Sequence, residues 1–270
     1  MSLPLPSSNA TVLITGASAG IGAELARALA ARGHHLTLVA RREERLRELS
    51  AELERDYGVE SATDTCDLGD SDARSELIAK LRRRKRRVAG VCNNAGFGSF
   101  GRFWELELER EVEEVRLNVE ALHELTGAFL PDMVARRSGA ILNVGSLAGF
   151  QPQPSNATYA ASKAFVNSFS EALHAELAGT GVSCTVLCPG PVKTEFADSA
   201  GVAHLDGRGS SLLWATPEQV AQSAVEGMAK GKRTVMPRAA DQVAGALGRL
   251  APRSVLLPVA QRLTSRALRN

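Results

Sequence analysis

Residues 11–22 read TVLITGASAGIG and join a short apolar segment to three glycines, Gly16, Gly20 and Gly22. The segment Thr11–Thr15 predicts a buried strand, and apolar residues at helical spacing follow the glycines. Glycines let the backbone turn tightly and approach a pyrophosphate, while the free N–H groups that begin a helix favour an anion. A strand, a glycine-rich turn and a helix in this order indicate a dinucleotide site. The alternative is an ordinary strand-to-helix turn.

The same alternation of short apolar segments and amphipathic helices continues along the chain. It predicts an α/β protein with a doubly wound, Rossmann-like parallel sheet, in which ligands bind beyond the carboxyl ends of the strands. The further predicted strands are Leu36–Ala40, Val59–Cys66, Val88–Asn93, Ala140–Ser146, Val182–Cys188 and Arg233–Met236. The later predicted helices are Ser71–Leu81, Trp104–Phe129, Tyr159–Leu177 and Pro217–Ala229.

Length and composition indicate one globular domain. The 270 residues are 44% hydrophobic, and 32 basic against 30 acidic residues leave a net charge of +2, which gives no reason to expect a nucleic-acid partner. We expect residues 1–236 to form a dinucleotide-binding catalytic domain, with a substrate loop at 195–216, and residues 237–270 to add a helical extension. Met1–Asn9 lacks the charge and apolar core of a secretion signal, so a cytoplasmic location is expected, with four buried cysteines.

The end of the second predicted strand bears on the choice of cofactor. An acid there would bind the ribose 2′-OH of NAD(H), but the sequence has Arg41 and Arg42, with no acid before Glu43. Two guanidinium groups suit a 2′-phosphate, so NADP(H) is favoured over NAD(H). The alternative is that both arginines form a solvated helix start.

Polar residues also follow the third and fourth predicted strands. Asp67 can accept a hydrogen bond from an adenine amino group, with Leu68 packed nearby, or it can cap the next helix. The run Asn93-Asn94-Ala95-Gly96 places small residues close to the cofactor, and its amide side chains can tie neighbouring strand ends together.

Ser146, Tyr159 and Lys163 form a candidate catalytic group. Tyr159 and Lys163 are four residues apart, so they share one face of a helix. A lysine cation, together with the positive charge of an oxidised nicotinamide, favours the phenolate of a tyrosine, and this suits Tyr159 to exchange a proton with a carbonyl oxygen. The hydroxyl of Ser146 can hold the same oxygen.

These motifs together resemble the short-chain dehydrogenase/reductase family, single-domain type. The matching segments are TGASAGIG (15–22), NNAG (93–96), LNV (117–119), Ser146, YAASK (159–163) and PGPVKT (189–194). The resemblance implies a catalytic set of Asn118, Ser146, Tyr159 and Lys163, in which Asn118 holds a water and Lys163 also binds the nicotinamide ribose. It also implies cofactor contacts from Pro189 to Thr194.

The cofactor site predicted from the residues and from the resemblance is extensive, and no metal site is predicted. Its members are Gly16, Ser18, Ala19, Gly20, Ile21, Gly22, Arg41, Arg42, Asp67, Leu68, Asn94, Ala95, Gly96, Tyr159, Lys163, Pro189, Gly190, Val192 and Thr194. The expected activity is NADP(H)-dependent hydride transfer between nicotinamide and a ketone or secondary alcohol. The alternative is a sensor or scaffold that binds NADP(H) without chemistry.

Aromatic residues suggest the nature of the substrate. We expect most phenylalanines to lie near the substrate entrance, together with apolar residues of the 195–216 loop, which favours an apolar or bulky carbonyl. The alternative is that they cap the core. The residues concerned are Phe97, Phe100, Phe103, Phe150, Phe196, Leu205, Leu212, Leu213 and Trp214. The layout after the last strand is similar to that of family members that reduce long-chain or bulky ketones.

Two basic segments remain outside this site. Arg82–Arg87 is six consecutive basic residues, interpreted as a solvated helix end rather than a nucleic-acid patch. The tail Lys230–Asn270 combines basic and apolar residues, which suits packing over the pocket or against another subunit; contact with an anionic membrane surface is the alternative. In many members of the family the helices predicted at Trp104–Phe129 and Tyr159–Leu177 pair between subunits, which implies a homodimer or homotetramer.

Overall fold

The computed structural model describes residues 3–195 and 214–267. Within them, seven strands form one parallel sheet in the order β3-β2-β1-β4-β5-β6-β7, which confirms the doubly wound fold. The strands are β1 Ala10–Thr15, β2 Leu36–Ala40, β3 Ser61–Thr65, β4 Arg87–Asn93, β5 Gly139–Val144, β6 Val182–Leu187 and β7 Thr234–Val235. The chain moves outward from β1 in both directions, so a crevice opens at the carboxyl ends of β1 and β4.

Helices cover both faces of the sheet. They are α1 Gly20–Ala30, α2 Glu43–Tyr57, α3 Ser71–Arg83, α4 Leu108–Val115, α5 Leu122–Ala135, α6 Ala157–Glu176, α7 Pro217–Ala229, α8 Ala239–Leu250 and α9 Arg253–Ala267. Apolar side chains of α1, α2 and α7, such as Leu25, Leu46 and Val225, pack on one face. Those of α3, α5 and α6, such as Leu81 and Phe129, pack on the other. The four cysteines are buried in this core.

Local sequence signals set several helix ends. Asp70 caps α3 by accepting hydrogen bonds from the backbone N–H groups of Asp72 and Ala73. Thr216 and Pro217 begin α7 with a capping box. The predicted alternative that Asp67 caps α3 is therefore wrong, because the cap lies three residues further along.

The predicted helix Trp104–Phe129 differs from the structure. Trp104 lies in a short 3₁₀ turn, the helix begins at Leu108, and a π turn at Arg116–Ala121 separates α4 from α5. The π turn packs on both α5 and α6, and such a tertiary fit is not encoded in helical periodicity. Helix α5 continues to Ala135 through Pro131, and Met133 of its last turn is buried.

The basic segment Arg82–Arg87 lies at the end of α3 and is mostly exposed, as predicted, but two of its arginines also form ion pairs. Arg84 forms an ion pair with the buried Asp64 at 2.7 Å, and Arg86 forms one with Glu60 at 2.5 Å. The segment therefore joins the edge strand β3 to the rest of the sheet. No helix of the described residues has the length and apolar character needed to span a membrane.

Candidate active site

The turn after β1 leaves no room for side chains. Gly16 and Gly20 have φ angles of +64° and +53°, which side chains disfavour. A Cβ on Gly16 would lie 2.8 Å from Nδ2 of Asn94, and one on Gly22 would lie 2.2 Å from the carbonyl oxygen of Gly16. Because α1 starts at Gly20, its free N–H groups face the space beside this turn. The backbone thus forms a cradle that fits a pyrophosphate.

Asparagine side chains hold the neighbouring strand ends against this cradle. Nδ2 of Asn93 donates to Oγ1 of Thr126 at 3.0 Å and to Oδ1 of Asn143 at 2.9 Å. Nδ2 of Asn94 donates to the carbonyl oxygen of Thr15 at 2.9 Å. These bonds tie β1, β4, β5 and α5 together, as the sequence predicts.

A cavity of about 560 Å³ opens along the carboxyl ends of the strands. Every predicted cofactor-binding residue lines the cavity except Gly22. Gly22 instead packs closely against the backbone of Gly16. Ser146 also lines the cavity, whereas Asn118 lies behind it. Lining residues that the sequence analysis did not select are Ala40, Cys66, Leu117, Val144, Gly145, Leu147, Ala148, Gln153, Pro191 and Glu195.

The basic end of the cavity is the end that carries Arg41 and Arg42. Arg42, the residue before α2, donates from Nε to Oγ of Ser18 at 3.2 Å, and its Nη1 is 2.8 Å from Oε2 of Glu195. Arg45 binds the other oxygen of Glu195 at 2.6 Å, and the two guanidinium groups lower the pKa of this carboxyl. Nη1 of Arg41 lies 3.9 Å from Oδ2 of Asp67. Arg42 is thus both a helix-start residue and part of the cavity wall.

Ser146, Tyr159 and Lys163 meet at the other end of the cavity. Lys163 lies 5.7 Å from the ring centre of Tyr159, and its Nζ donates to the carbonyl oxygen of Val144 at 2.8 Å. Tyr159 and Ser146 are hydrogen-bonded through their side chains. Because β5 ends at Val144, Ser146 lies two residues beyond the strand rather than at its end, and caps the short turn Leu147–Phe150.

Burial controls the ionisation of this pair. It raises the pKa of Tyr159 to about 12, although the hydrogen bond with Ser146 opposes the change. It lowers the pKa of Lys163 to about 8. The expected lowering of the tyrosine pKa by Lys163 is therefore not seen in this site without the charge of a cofactor. At neutral pH Tyr159 is a phenol, which is the form that donates a proton.

Asn118 is buried in the π turn, with only 1% of its surface exposed. Its Nδ2 donates to the carbonyl oxygen of Phe97 at 2.8 Å and to Oγ of Ser162 at 3.1 Å. Its Oδ1 accepts from the backbone N–H of Phe97 at 3.2 Å. Asn118 therefore joins the loop after β4 to α6, directly behind the cavity.

The aromatic entrance is a wrong prediction for the phenylalanines that the structure describes. Phe97 lies under the guanidinium of Arg110, and Phe150 lies 4.2 Å from that of Arg249. Phe103 is 53% exposed. None of these three, nor Phe100, lines the cavity, whereas Trp214 does. The remaining four, Phe196, Leu205, Leu212 and Leu213, lie outside the described residues.

Comparisons with known proteins agree with this geometry. A family model for short chain dehydrogenases matches residues 10–203. Sulfoacetaldehyde reductase 2 of Chromohalobacter salexigens is 40% identical over 187 residues, covering 68% of this chain and 73% of that relative. A short-chain dehydrogenase from Sphingobium yanoikuyae, solved in complex with NADPH, has a TM-score of 0.79 and 33% identity over 88% of this chain and 93% of that one. A solved 7beta-hydroxysteroid dehydrogenase has a TM-score of 0.85 and 25% identity over 97% and 100%.

The fold and the cavity define a dinucleotide-dependent oxidoreductase. Its sheet opens at the switch point between β1 and β4, and a tyrosine–lysine pair shares the cavity with a glycine cradle. The chain belongs to the short-chain dehydrogenase/reductase family, whose members act on carbonyl or alcohol groups.

Proposed function

We propose that this protein is an NADP(H)-dependent carbonyl reductase or alcohol dehydrogenase. The observation that carries the proposal is one cavity with two ends: Arg41, Arg42 and Ser18 at the first, and Tyr159 with Lys163 at the second. The glycine cradle lies between these two ends. A phosphorylated dinucleotide laid along the cavity would place its 2′-phosphate at the basic end, its pyrophosphate in the cradle and its nicotinamide beside the tyrosine.

The residues at the catalytic end have complementary roles. When bound, the nicotinamide would supply a hydride to the carbonyl carbon of a ketone, or accept one from the carbinol carbon of an alcohol. Tyr159 donates its phenolic proton to the carbonyl oxygen and recovers it in the reverse direction. Ser146 holds that oxygen, and Lys163 stabilises negative charge on Tyr159 while binding the nicotinamide ribose. Asn118 keeps the loop after β4 and α6 in place behind them and holds the water that links Lys163 to solvent.

The basic end supports NADP(H) over NAD(H). Arg42 and Ser18 already share a hydrogen bond, so a 2′-phosphate can be held by both, with Arg41 beside them. Asp67 and Leu68 line the same stretch and suit the adenine ring. The similar structure that holds NADPH also supports this choice.

The substrate we propose is an apolar or bulky ketone or secondary alcohol. Because the described phenylalanines do not line the cavity, this choice rests on Trp214, Leu117 and Leu147, which do.

Apolar side chains are exposed on α4 and α6, including Val112 and Phe165. They support the association of this chain into a homodimer or homotetramer.

Replacement of Tyr159 tests the chemical step. Tyr159→Phe removes only the hydroxyl, so we expect NADPH oxidation with ketones to fall at least 100-fold while the Kd for NADPH, measured by fluorescence, changes little. Near-normal turnover would contradict the assignment. Tight NADPH binding by the wild type without turnover of any ketone or aldehyde would favour a sensor or scaffold instead.

Replacement of the two arginines tests the cofactor choice separately. In an Arg41→Ala/Arg42→Ala variant we expect NADPH affinity to fall about 100-fold and NADH affinity to change less than threefold, because only NADPH carries the 2′-phosphate. Arg47→Ala, an exposed position on α2, the helix that follows the two arginines, serves as the matched control. Equal losses for both cofactors would exclude a phosphate role.

A further inference from the structure

A row of polar residues on α4 and the π turn faces the catalytic helix α6. Glu111, Glu114 and Asn118 have the spacing of one helix face. At one end Glu111 accepts a hydrogen bond from Thr158, and at the other Asn118 donates to Ser162 at 3.1 Å. Both ends of the row are thus fixed to α6, which holds Glu114 opposite the turn of α6 that carries the catalytic pair.

Glu114 is a fully buried acid. Its exposed surface is 0%, and neither carboxylate oxygen reaches full hydrogen-bond geometry with any described residue. The charged and titratable groups that interact with it are Glu111 and Arg110 from α4 and Lys163 and Tyr159 from α6. Ser99 is the neighbouring hydroxyl, and the negative charge of Glu114 adds to the raised pKa of Tyr159. A buried carboxyl group with so few hydrogen bonds destabilises the folded state. Its position beside the candidate catalytic Lys163 therefore suggests a functional role.

Glu114 and Lys163 affect each other's ionisation. Burial raises the pKa of Glu114 to about 7, an effect that Glu111 reinforces and that Ser99, Lys163 and Arg110 oppose. Burial lowers the pKa of Lys163 to about 8, and the negative charge of Glu114 opposes this, with a smaller contribution from Cys188. Without the carboxylate, the buried ammonium group would lose its proton at a lower pH.

We propose that Glu114 is a positioning residue, a buried counter-charge that keeps Lys163 in its ammonium form and so keeps the Tyr159–Lys163 pair active at mildly alkaline pH. The proposal rests on the proposed function for its effect on catalysis. It extends that function by assigning the electrostatic support of Lys163 to an acid that touches neither substrate nor cofactor.

The pH profile of Glu114→Gln tests the effect on catalysis. With NADPH and acetophenone as the probe ketone, we expect the alkaline limb of kcat/KM to move about one pH unit lower, with a roughly tenfold loss above pH 8 and little change at pH 6. Glu113→Gln, an exposed acid on the same helix, should follow the wild type. Glu114→Asp, which retains the charge, should restore most of the limb. An unmoved limb, or an equal loss at every pH, would overturn the proposal.

A second measurement does not depend on turnover. The chain has only six lysines, so the 13Cε signal of Lys163 can be assigned by its loss in Lys163→Met and titrated by NMR. We expect its midpoint to lie about one pH unit lower in Glu114→Gln than in the wild type or Glu113→Gln. Equal midpoints would overturn the inference even in an active enzyme. A lowered midpoint in a protein that reduces no carbonyl would instead leave the counter-charge standing and reject the proposed reaction.

Discussion

Neutralising Glu114 should make the stability of this protein less dependent on pH. In the unfolded chain this carboxyl has an ordinary pKa of 4.5, and burial raises its pKa to about 7 in the folded protein. The folded state therefore binds more protons than the unfolded state between these values, and the wild type loses stability as the pH rises through this range. At 1.36 kcal/mol for each pH unit, the full cost is about 3 kcal/mol.

Glu114→Gln keeps the shape of the side chain but cannot ionise. We expect the free energy of unfolding of the variant minus that of the wild type to increase by ~2 to 3 kcal/mol between pH 4.5 and pH 7. Urea unfolding at pH 4.5, 5.5, 6.5 and 7 measures both values. Groups outside this site that titrate in this range, such as His34, are common to both proteins and cancel in the difference. Glu113→Gln is the exposed control. A difference that stays constant from pH 4.5 to 7 would refute the reasoning.

Two further variants test the cofactor site, one at the glycine cradle and one at Arg42. Gly22→Ala brings a Cβ within 2.2 Å of the carbonyl oxygen of Gly16, so we expect loss of measurable NADPH binding and a lower melting temperature, whereas Gly127→Ala, with open space around its Cβ, should bind NADPH normally. Glu195→Gln removes a carboxylate that competes with phosphate for Arg42, so the Kd for NADPH should fall about two- to fivefold and that for NADH should not change. A weaker NADPH complex in Glu195→Gln would show that this acid supports phosphate binding instead.

The strand pattern and the glycine turn predicted most of the fold correctly. Strand β2 and helix α7 match their predicted bounds, because apolar periodicity and the capping signals at Thr216 are local properties of the chain. The long helix at Trp104–Phe129 was predicted without its π turn. Periodicity shows that a segment is helical, but packing against α6 sets where its hydrogen bonding shifts by one residue.

The candidate catalytic pair and the two arginines could be found from the sequence for the same local reason. Tyr159 and Lys163 lie one turn apart on one helix, and Arg41 and Arg42 directly follow a strand. The prediction for the phenylalanines was wrong because a position near a strand end does not determine where the side chain points. Phe97 instead packs against Arg110 of α4, and Phe150 packs against Arg249 of α8. Only the tertiary fold brings these partners together.

Short-range order along the chain was therefore enough to predict the architecture, the glycine cradle and the candidate catalytic residues. The ionisation of those groups and the burial of Glu114 depend on which distant segments exclude water from them. The ion pairs of the half-exposed Glu195 depend on which arginines the fold brings beside it. Desolvation arises from the whole fold, and neither spacing nor composition reveals it. For that reason the electrostatics of this site became visible only once α4, α6 and the loop after β4 had been placed together in three dimensions.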